Sequence, residues 1–305
     1  MPSATLPSAA AAICAMIGAP VGKTAQPGLF NRWAMETGRD AQMVPMEIAP
    51  GALPAALTLL RAWQNCRGAV LTAPHKQDAA RQADRQDRRV ALLGAANLLR
   101  RDDDGSLVAH NTDGAGFLSA ARAHRFEPRG ARALILGCGA AGAAIALALA
   151  EEGAAQIALH DPDTARRDAA LELAGPAGQA AAADVALADF DLVVNATALG
   201  ADGRTRVRPL DGIRRSALVA DVVSAPRPTP WLRDALARGC RVQTGAEMAA
   251  GELGPILGLL AIDRKNDPAP PRGSRRLFPF AGRSSRIRRR RIATIDENND
   301  LWEES

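Results

Sequence analysis

Lys76 and Asp113 are the residues through which this chain could move a proton. Each stands at an expected helix start, Lys76 after Thr72-Ala-Pro74-His75 and Asp113 after Asn111-Thr112. Oxidising a secondary alcohol needs a hydride acceptor and a group that takes the hydroxyl proton. A lysine does this if its pKa is lowered, and an aspartate can orient it and hold the hydroxyl. A helix start disfavours a lysine's charge and favours an aspartate's, so Lys76 is expected to titrate below an ordinary lysine. The plainer alternatives are a solvated lysine and a helix N-cap. Asn97 and Thr72 could hold substrate hydroxyls, or serve as a turn residue and a strand-end hydroxyl bonded to backbone.

The hydride acceptor is suggested by Gly137-Cys138-Gly139-Ala140-Ala141-Gly142, a glycine-rich loop after Ala-Leu-Ile-Leu that opens an Ala-rich helix. Small residues let the backbone approach a pyrophosphate, and the helix N-terminus turns free N–H groups toward it. Asp161 ends the next expected strand, 24 residues after Gly137. That is near the ~20-residue offset at which an acid meets a ribose 2′-hydroxyl, which points to NAD.

These residues need a scaffold of alternating elements. Short apolar runs at 10–18, 41–48, 68–72, 95–101 and 106–111 read as strands, the last two flanking an Asp-Asp-Asp-Gly turn at 102–105. Helical spacing fits 27–36, 53–63 and a Pro74-started segment. After Asp113 the alternation becomes regular, with strands at 133–136, 156–160, 191–195, 218–222 and 241–244 and helices at 140–152, 230–238 and 247–261. The expected fold is α/β: an N-terminal α/β substrate domain over 10–112 and a doubly wound Rossmann-type dinucleotide-binding domain over 113–246. Residues 264–305 are Pro-, Arg- and Ser-rich without periodicity, and read as a disordered basic tail.

Charge and composition narrow the partners. The net charge of +5 lies wholly in that tail, where 11 Lys/Arg face 6 Asp/Glu, so the body is balanced. With aromatics at 3% and no Tyr, the body has little means to stack nucleic-acid bases. Cys14, Cys66, Cys138 and Cys240 are scattered without metal or disulfide spacing, and no apolar run is long enough for a membrane span. A cytoplasmic enzyme acting on a small molecule, as monomer or homodimer and without metal, nucleic acid or membrane, is the expectation. The alternative is a catalytically silent dinucleotide-binding sensor of the same fold.

Seven segments occur in a telling order: Gly18-Ala-Pro-Val-Gly-Lys-Thr24-Ala-Gln26-Pro27, Thr72 to Lys76, Gly94 to Asn97, Asn111 to Phe117, Asn195 to Gly200, Asp221 to Pro226, and Gly245 to Met248. Over about residues 14–262 this set resembles the shikimate dehydrogenase family. The resemblance implies reversible hydride transfer between a nicotinamide and a ring carbon of a polyhydroxylated acid, with Lys76 and Asp113 catalytic. It places Thr24, Gln26, Thr72, Asn97, Ser224 and Glu252 toward substrate. Toward cofactor it places Gly137, Gly139, Ala140, Ala141, Gly142, Asp161, Asn195, Thr197 and Met248, the last of which also reads as core packing. It further implies that helix 247–262 returns to the first domain.

The departures from the family pattern cluster at the recognition end. Thr24, Gln26, Ser224 and Glu252 stand where the family has two serines, a tyrosine and a glutamine. Val70 and Leu98 replace an asparagine and a threonine. Shikimate itself is therefore expected to bind poorly. NADP-using members carry Asn-Arg-Thr where this chain has Asp161-Pro162-Asp163, so the resemblance also implies NAD rather than NADP. Arg166 and Arg167 on the following helix stand against that reading.

Overall fold

The computed structural model describes residues 7–22, 24–225 and 227–262; the tail expectation over 264–305 lies outside the described residues. The first half contains β1 (Ala12–Gly18), α1 (Gln26–Thr37), β2 (Ala41–Glu47), α2 (Leu53–Ala62), β3 (Cys66–Leu71), α3 (Lys76–Gln82), β4 (Arg85–Gln86), α4 (Arg88–Leu93), β5 (Leu98–Arg101), β6 (Leu107–His110) and α5 (Asp113–Ala123). The second contains β7 (Arg132–Leu136), α6 (Ala140–Glu151), β8 (Gln156–His160), α7 (Thr164–Ala174), β9 (Gly178–Ala180), β10 (Leu192–Asn195), β11 (Leu218–Asp221), α8 (Pro230–Ala237), β12 (Arg241–Gln243) and α9 (Gly245–Leu259).

Two six-stranded sheets result. The first runs β2-β1-β3-β5-β6-β4, with β1 parallel to β2 and β3, and β5 antiparallel to both β3 and β6. The β5–β6 turn closes through Gly105 N–H to Asp102 O at 2.9 Å, and Gly105 has φ +86°, which a side chain would resist. Because β5 runs against β3, its N-terminal end lies beside the carboxyl end of β3, where Val70 pairs with Leu98. That brings Asn97 to the edge of the sheet from which Lys76 emerges.

The second sheet, β12-β11-β10-β7-β8-β9, is entirely parallel. The chain runs outward from β7 through β9, then returns to the other side of β7 with β10, so a crevice opens between the β7 and β10 loops. Helix α6 shows little apolar–polar sidedness: Ala144 to Leu149 are all buried, as expected of a helix covered on several sides.

The sequence reading gave a single Pro74-started helix between the strands at 68–72 and 95–101, without an end. Instead α3 stops at Gln82, and β4 and α4 intervene before β5. Asp87 causes the break locally, accepting the Val90 N–H and so capping α4.

Helix α9 is started by a capping box. Thr244 Oγ1 accepts the Glu247 N–H, and Glu247 Oε2 accepts the Thr244 N–H at 2.7 Å. Its later residues Ile256 and Leu257, with Leu260 just past its end, pack with Phe30, Val70 and Leu98 of the first sheet's layer. Fully burying a side chain such as Phe30 stabilises by roughly 1.5–3 kcal/mol. Close crossing of α9 over α5 depends on glycine: a Cβ on Gly116 would lie 2.2 Å from Glu252 Cγ, and one on Gly251 2.3 Å from Gly116 O. The crossing delivers Glu252 to Asp113.

Candidate active site

One cavity of about 250 Å³ is lined by Thr24, Gln26, Thr72, Lys76, Asn97, Asp113, Ser224 and Glu252, with apolar walls that include Met16, Val70 and Leu71. All eight residues read from the sequence as catalytic or substrate-facing are thus brought together. They come from the carboxyl ends of β1, β3 and β6, the start of β5, the loop after β11, and α9. The volume suits a single small ring.

At its base Lys76 Nζ donates to Asp113 Oδ1 at 2.9 Å and Oδ2 at 2.6 Å. Asn97 Nδ2 donates to Asp113 Oδ1 at 2.8 Å, and lies 3.2 Å from Glu252 Oε2. Asn97 is itself held by its Oδ1, which accepts the Thr112 N–H at 2.7 Å. Asn111 completes the support, accepting the Asp113 N–H and donating to Ala95 O. The sequence reading gave Asn111 and Thr112 no role; their adjacency to Asp113 was the available signal.

The expected pKa shift of Lys76 is reversed. Burial pulls its pKa down, but the charges of Asp113 and Glu252 and the hydrogen bonds to Asp113 outweigh burial and raise it. A full charge at hydrogen-bond distance exceeds the partial charge of a helix start. Lys76 is therefore an ammonium at neutral pH. Burial, then the neighbouring Asp113 carboxylate, pushes Glu252 up to about 8, against the opposing pull of Lys76 and Thr112.

The glycine-rich loop stands at the carboxyl end of β7. Gly142 closes against it, since a Cβ there would lie 1.9 Å from Gly137 O, while nothing lies within 4 Å of a Cβ on Gly139. No side chain caps α6 at Gly139, leaving its first N–H groups facing open space with Ala140 and Ala141 at the helix start. This open, donor-rich cradle fits a pyrophosphate. Burial, then Asp161, pushes the Cys138 thiol within the loop up to about 12, so it is no thiolate nucleophile.

Other residues assigned to the cofactor are engaged internally. Asn195 is wholly buried; it donates to Asp221 Oδ1 and Leu199 O and accepts from Thr197, whose side chain lines a cavity beside Gly137 and Pro162. Asp221 also accepts the Thr229 hydroxyl, so this network braces the loop carrying Ser224. Met248 packs in the core around the second sheet.

Residues 16–99 match the family model described as the shikimate dehydrogenase substrate binding domain. A shikimate dehydrogenase (NADP(+)) of Cereibacter sphaeroides is 35% identical over 249 residues, covering 80% of this chain and 89% of that one. The crystal structure of shikimate 5-dehydrogenase from Thermus thermophilus, in complex with NADP(H) and shikimate, superposes with a TM-score of 0.74 at 30% identity, covering 81% and 92% of the two chains. The ligand-free 5-ketofructose reductase of a Gluconobacter strain superposes with a TM-score of 0.74 at 27% identity, covering 83% and 97%.

These NADP-named relatives overturn the expectation of NAD over NADP. The reason lies at Asp161, which was taken as a ribose reader. It is buried, and its two oxygens already accept the Cys138 N–H at 2.7 Å and the Asp163 N–H at 2.9 Å. Its carboxylate ties the glycine-rich loop to the end of β8. Arg166, meanwhile, is exposed and lines the cleft with Cys138, Gly139 and Ala140.

Proposed function

The chain belongs to the shikimate dehydrogenase family, and from that premise we propose that it catalyses reversible hydride transfer between NADP and a hydroxyl- or ketone-bearing carbon of a small, polyhydroxylated, shikimate-like molecule. The observation that carries this reading is the Lys76–Asp113 pair in a ring-sized cavity, in a chain that also holds an open glycine-rich cradle. The nicotinamide, when bound, supplies or accepts the hydride.

Everything else falls to the protein. In the reducing direction the Lys76 ammonium donates a proton to the oxygen that becomes the hydroxyl, and Asp113 holds Lys76 in place through both carboxylate oxygens. In the oxidising direction Lys76 must first lose a proton, which its raised pKa opposes, so the rate of oxidation should climb with pH. Asn97 orients Asp113, and Thr72 and Glu252 offer hydrogen-bonding groups to neighbouring substrate hydroxyls. Gly137, Gly139, Ala140, Ala141 and Gly142 would hold the pyrophosphate, Thr197 would flank the adenosine half, and Arg166 would meet the 2′-phosphate.

The likeness to 5-ketofructose reductase supports reading the substrate as a polyhydroxylated ketone or alcohol in a broad sense. Residues 10–112 together with the end of α9 form the substrate domain in this reading, and residues 113–246 the cofactor domain. Incubation with NADPH and a panel of ring and open-chain polyhydroxy ketones, following absorbance of the reduced nicotinamide, tests it. Binding of NADPH without oxidation by any of the panel would favour the silent sensor instead.

A further inference from the structure

Resting on this dehydrogenase reading, we propose that the cavity selects an uncharged polyhydroxylated substrate and discriminates against a carboxylate, with Gln26 and Glu252 as the discriminating residues.

Gln26 opens α1 and is 5% exposed. Its Nε2 donates to Ala249 O at 2.8 Å, which fixes the amide's orientation, because turning it over would set two oxygens against each other. Its Oε1 is then left buried without a hydrogen-bond partner, in a residue that lines the cavity. A buried acceptor in that state calls for a donor. A substrate hydroxyl brings a hydrogen; a carboxylate brings only further lone pairs.

Glu252, one turn along α9 from Ala249, repeats the pattern. Glu252 is 9% exposed, and its Oε2 lies 3.2 Å from Asn97 Nδ2 and 3.4 Å from Thr112 Oγ1. The charged groups facing it are Lys76 from α3 and Asp113 from α5. Lys76 is the only cationic side chain among the described residues lining the cavity, and Asp113 already takes two of its hydrogens. The third is needed by the reacting oxygen.

The other donors are partly spent. The Thr24 hydroxyl donates to Val21 O, and the Asn97 amide serves Thr112, Asp113 and Glu252. With Glu252 protonated, the lining side chains sum to zero charge. A carboxylate would add an uncompensated negative charge to a desolvated site. Ionisation of Glu252 near pH 8 adds another. Hydroxyls, which give one hydrogen and accept elsewhere, match the set at both residues.

Shikimate and its methyl ester form a matched pair differing chiefly in this charge. With NADP and the full-length protein, kcat/KM for the ester should exceed that for shikimate by roughly tenfold near pH 7, with a wider gap near pH 9. In a Gln26→Ser/Glu252→Gln double variant the gap should fall below about threefold, because one repelling oxygen and one ionisable group are gone. Glu252→Gln alone, checked for native circular dichroism, serves if the double variant does not fold. Equal or better turnover of shikimate by the wild type overturns the charge discrimination and leaves the dehydrogenase reading standing. A cationic amino-ring analogue that outcompetes the ester also overturns it. If calorimetry detects binding of NADP but of no ring compound or keto sugar, and none is turned over, the dehydrogenase reading falls and this inference with it.

Discussion

Lys76 Nζ lies within hydrogen-bond distance of both Asp113 carboxylate oxygens, although the two residues are 37 positions apart in the chain. The bidentate contact holds the ammonium at the floor of the cavity and keeps its proton on. Lys76→Ala should lower kcat by about 10²–10⁴-fold with little change in NADP affinity, since proton transfer belongs to the transition state. Asp113→Asn should act similarly, by releasing the lysine. Steady-state kinetics beside a cofactor titration checks both; near-normal turnover by Lys76→Ala would remove it from proton transfer.

Glu252 ties stability to pH. Its pKa is raised from the ordinary glutamate value near 4.5 to about 8 in the folded protein, first by burial and then by Asp113. Between those pH values the unfolded chain has released the proton and the folded chain retains it, so stability falls as pH rises through this window. Glu252→Gln should remove that slope and stabilise the protein above about pH 8 by on the order of a few kcal/mol. Urea midpoints from pH 5 to pH 9 provide the measurement. Parallel pH curves for wild type and variant would exclude a buried, protonated Glu252.

The two ends of the glycine-rich loop should respond oppositely to added side chains. Gly142→Ala forces a Cβ against Gly137 O, where 1.9 Å is available, and should lower Tm markedly. Gly139→Val meets open space and should leave Tm nearly unchanged while weakening NADP binding. Thermal melts with and without NADP separate the effects. Unimpaired NADP binding by Gly139→Val would take the pyrophosphate away from this cradle.

Arg166 should contribute to selection of the 2′-phosphate. A charge-assisted hydrogen bond from an exposed arginine is worth up to about 1.5–3 kcal/mol, so Arg166→Ala should weaken NADP binding by roughly tenfold or more. NAD binding should change little. Calorimetric Kd values for the two cofactors test the difference; equal losses for both would leave Arg166 without a phosphate-specific role.

Much of the architecture was legible before folding because it depends on neighbours in sequence. Strand–helix alternation after Asp113 anticipates the parallel second sheet, since apolar periodicity reports local burial. The glycine-rich loop could be read because its function needs small residues at fixed short spacing. The lining of the cavity was legible only through the order of seven segments, since no local rule brings Gln26 to the helix that carries Glu252. The short β4 and α4 were missed because two strand residues and a six-residue helix carry too little periodicity to be read alone.

The sequence by itself determined which side chains were available for chemistry and which backbone could approach a phosphate. Tertiary structure decided what state those groups occupy. Lys76 was expected to lose charge at a helix start, yet Asp113 and Glu252 raise its pKa. Asp161 was expected to face a ribose, yet both its oxygens are used by the backbone. Gln26 became an acceptor in search of a donor only because Ala249, 223 residues away, took its amide hydrogen. The physical reason is common to all three. Charge–charge energies, desolvation and hydrogen-bond satisfaction depend on separation in space, which packing sets and chain spacing does not.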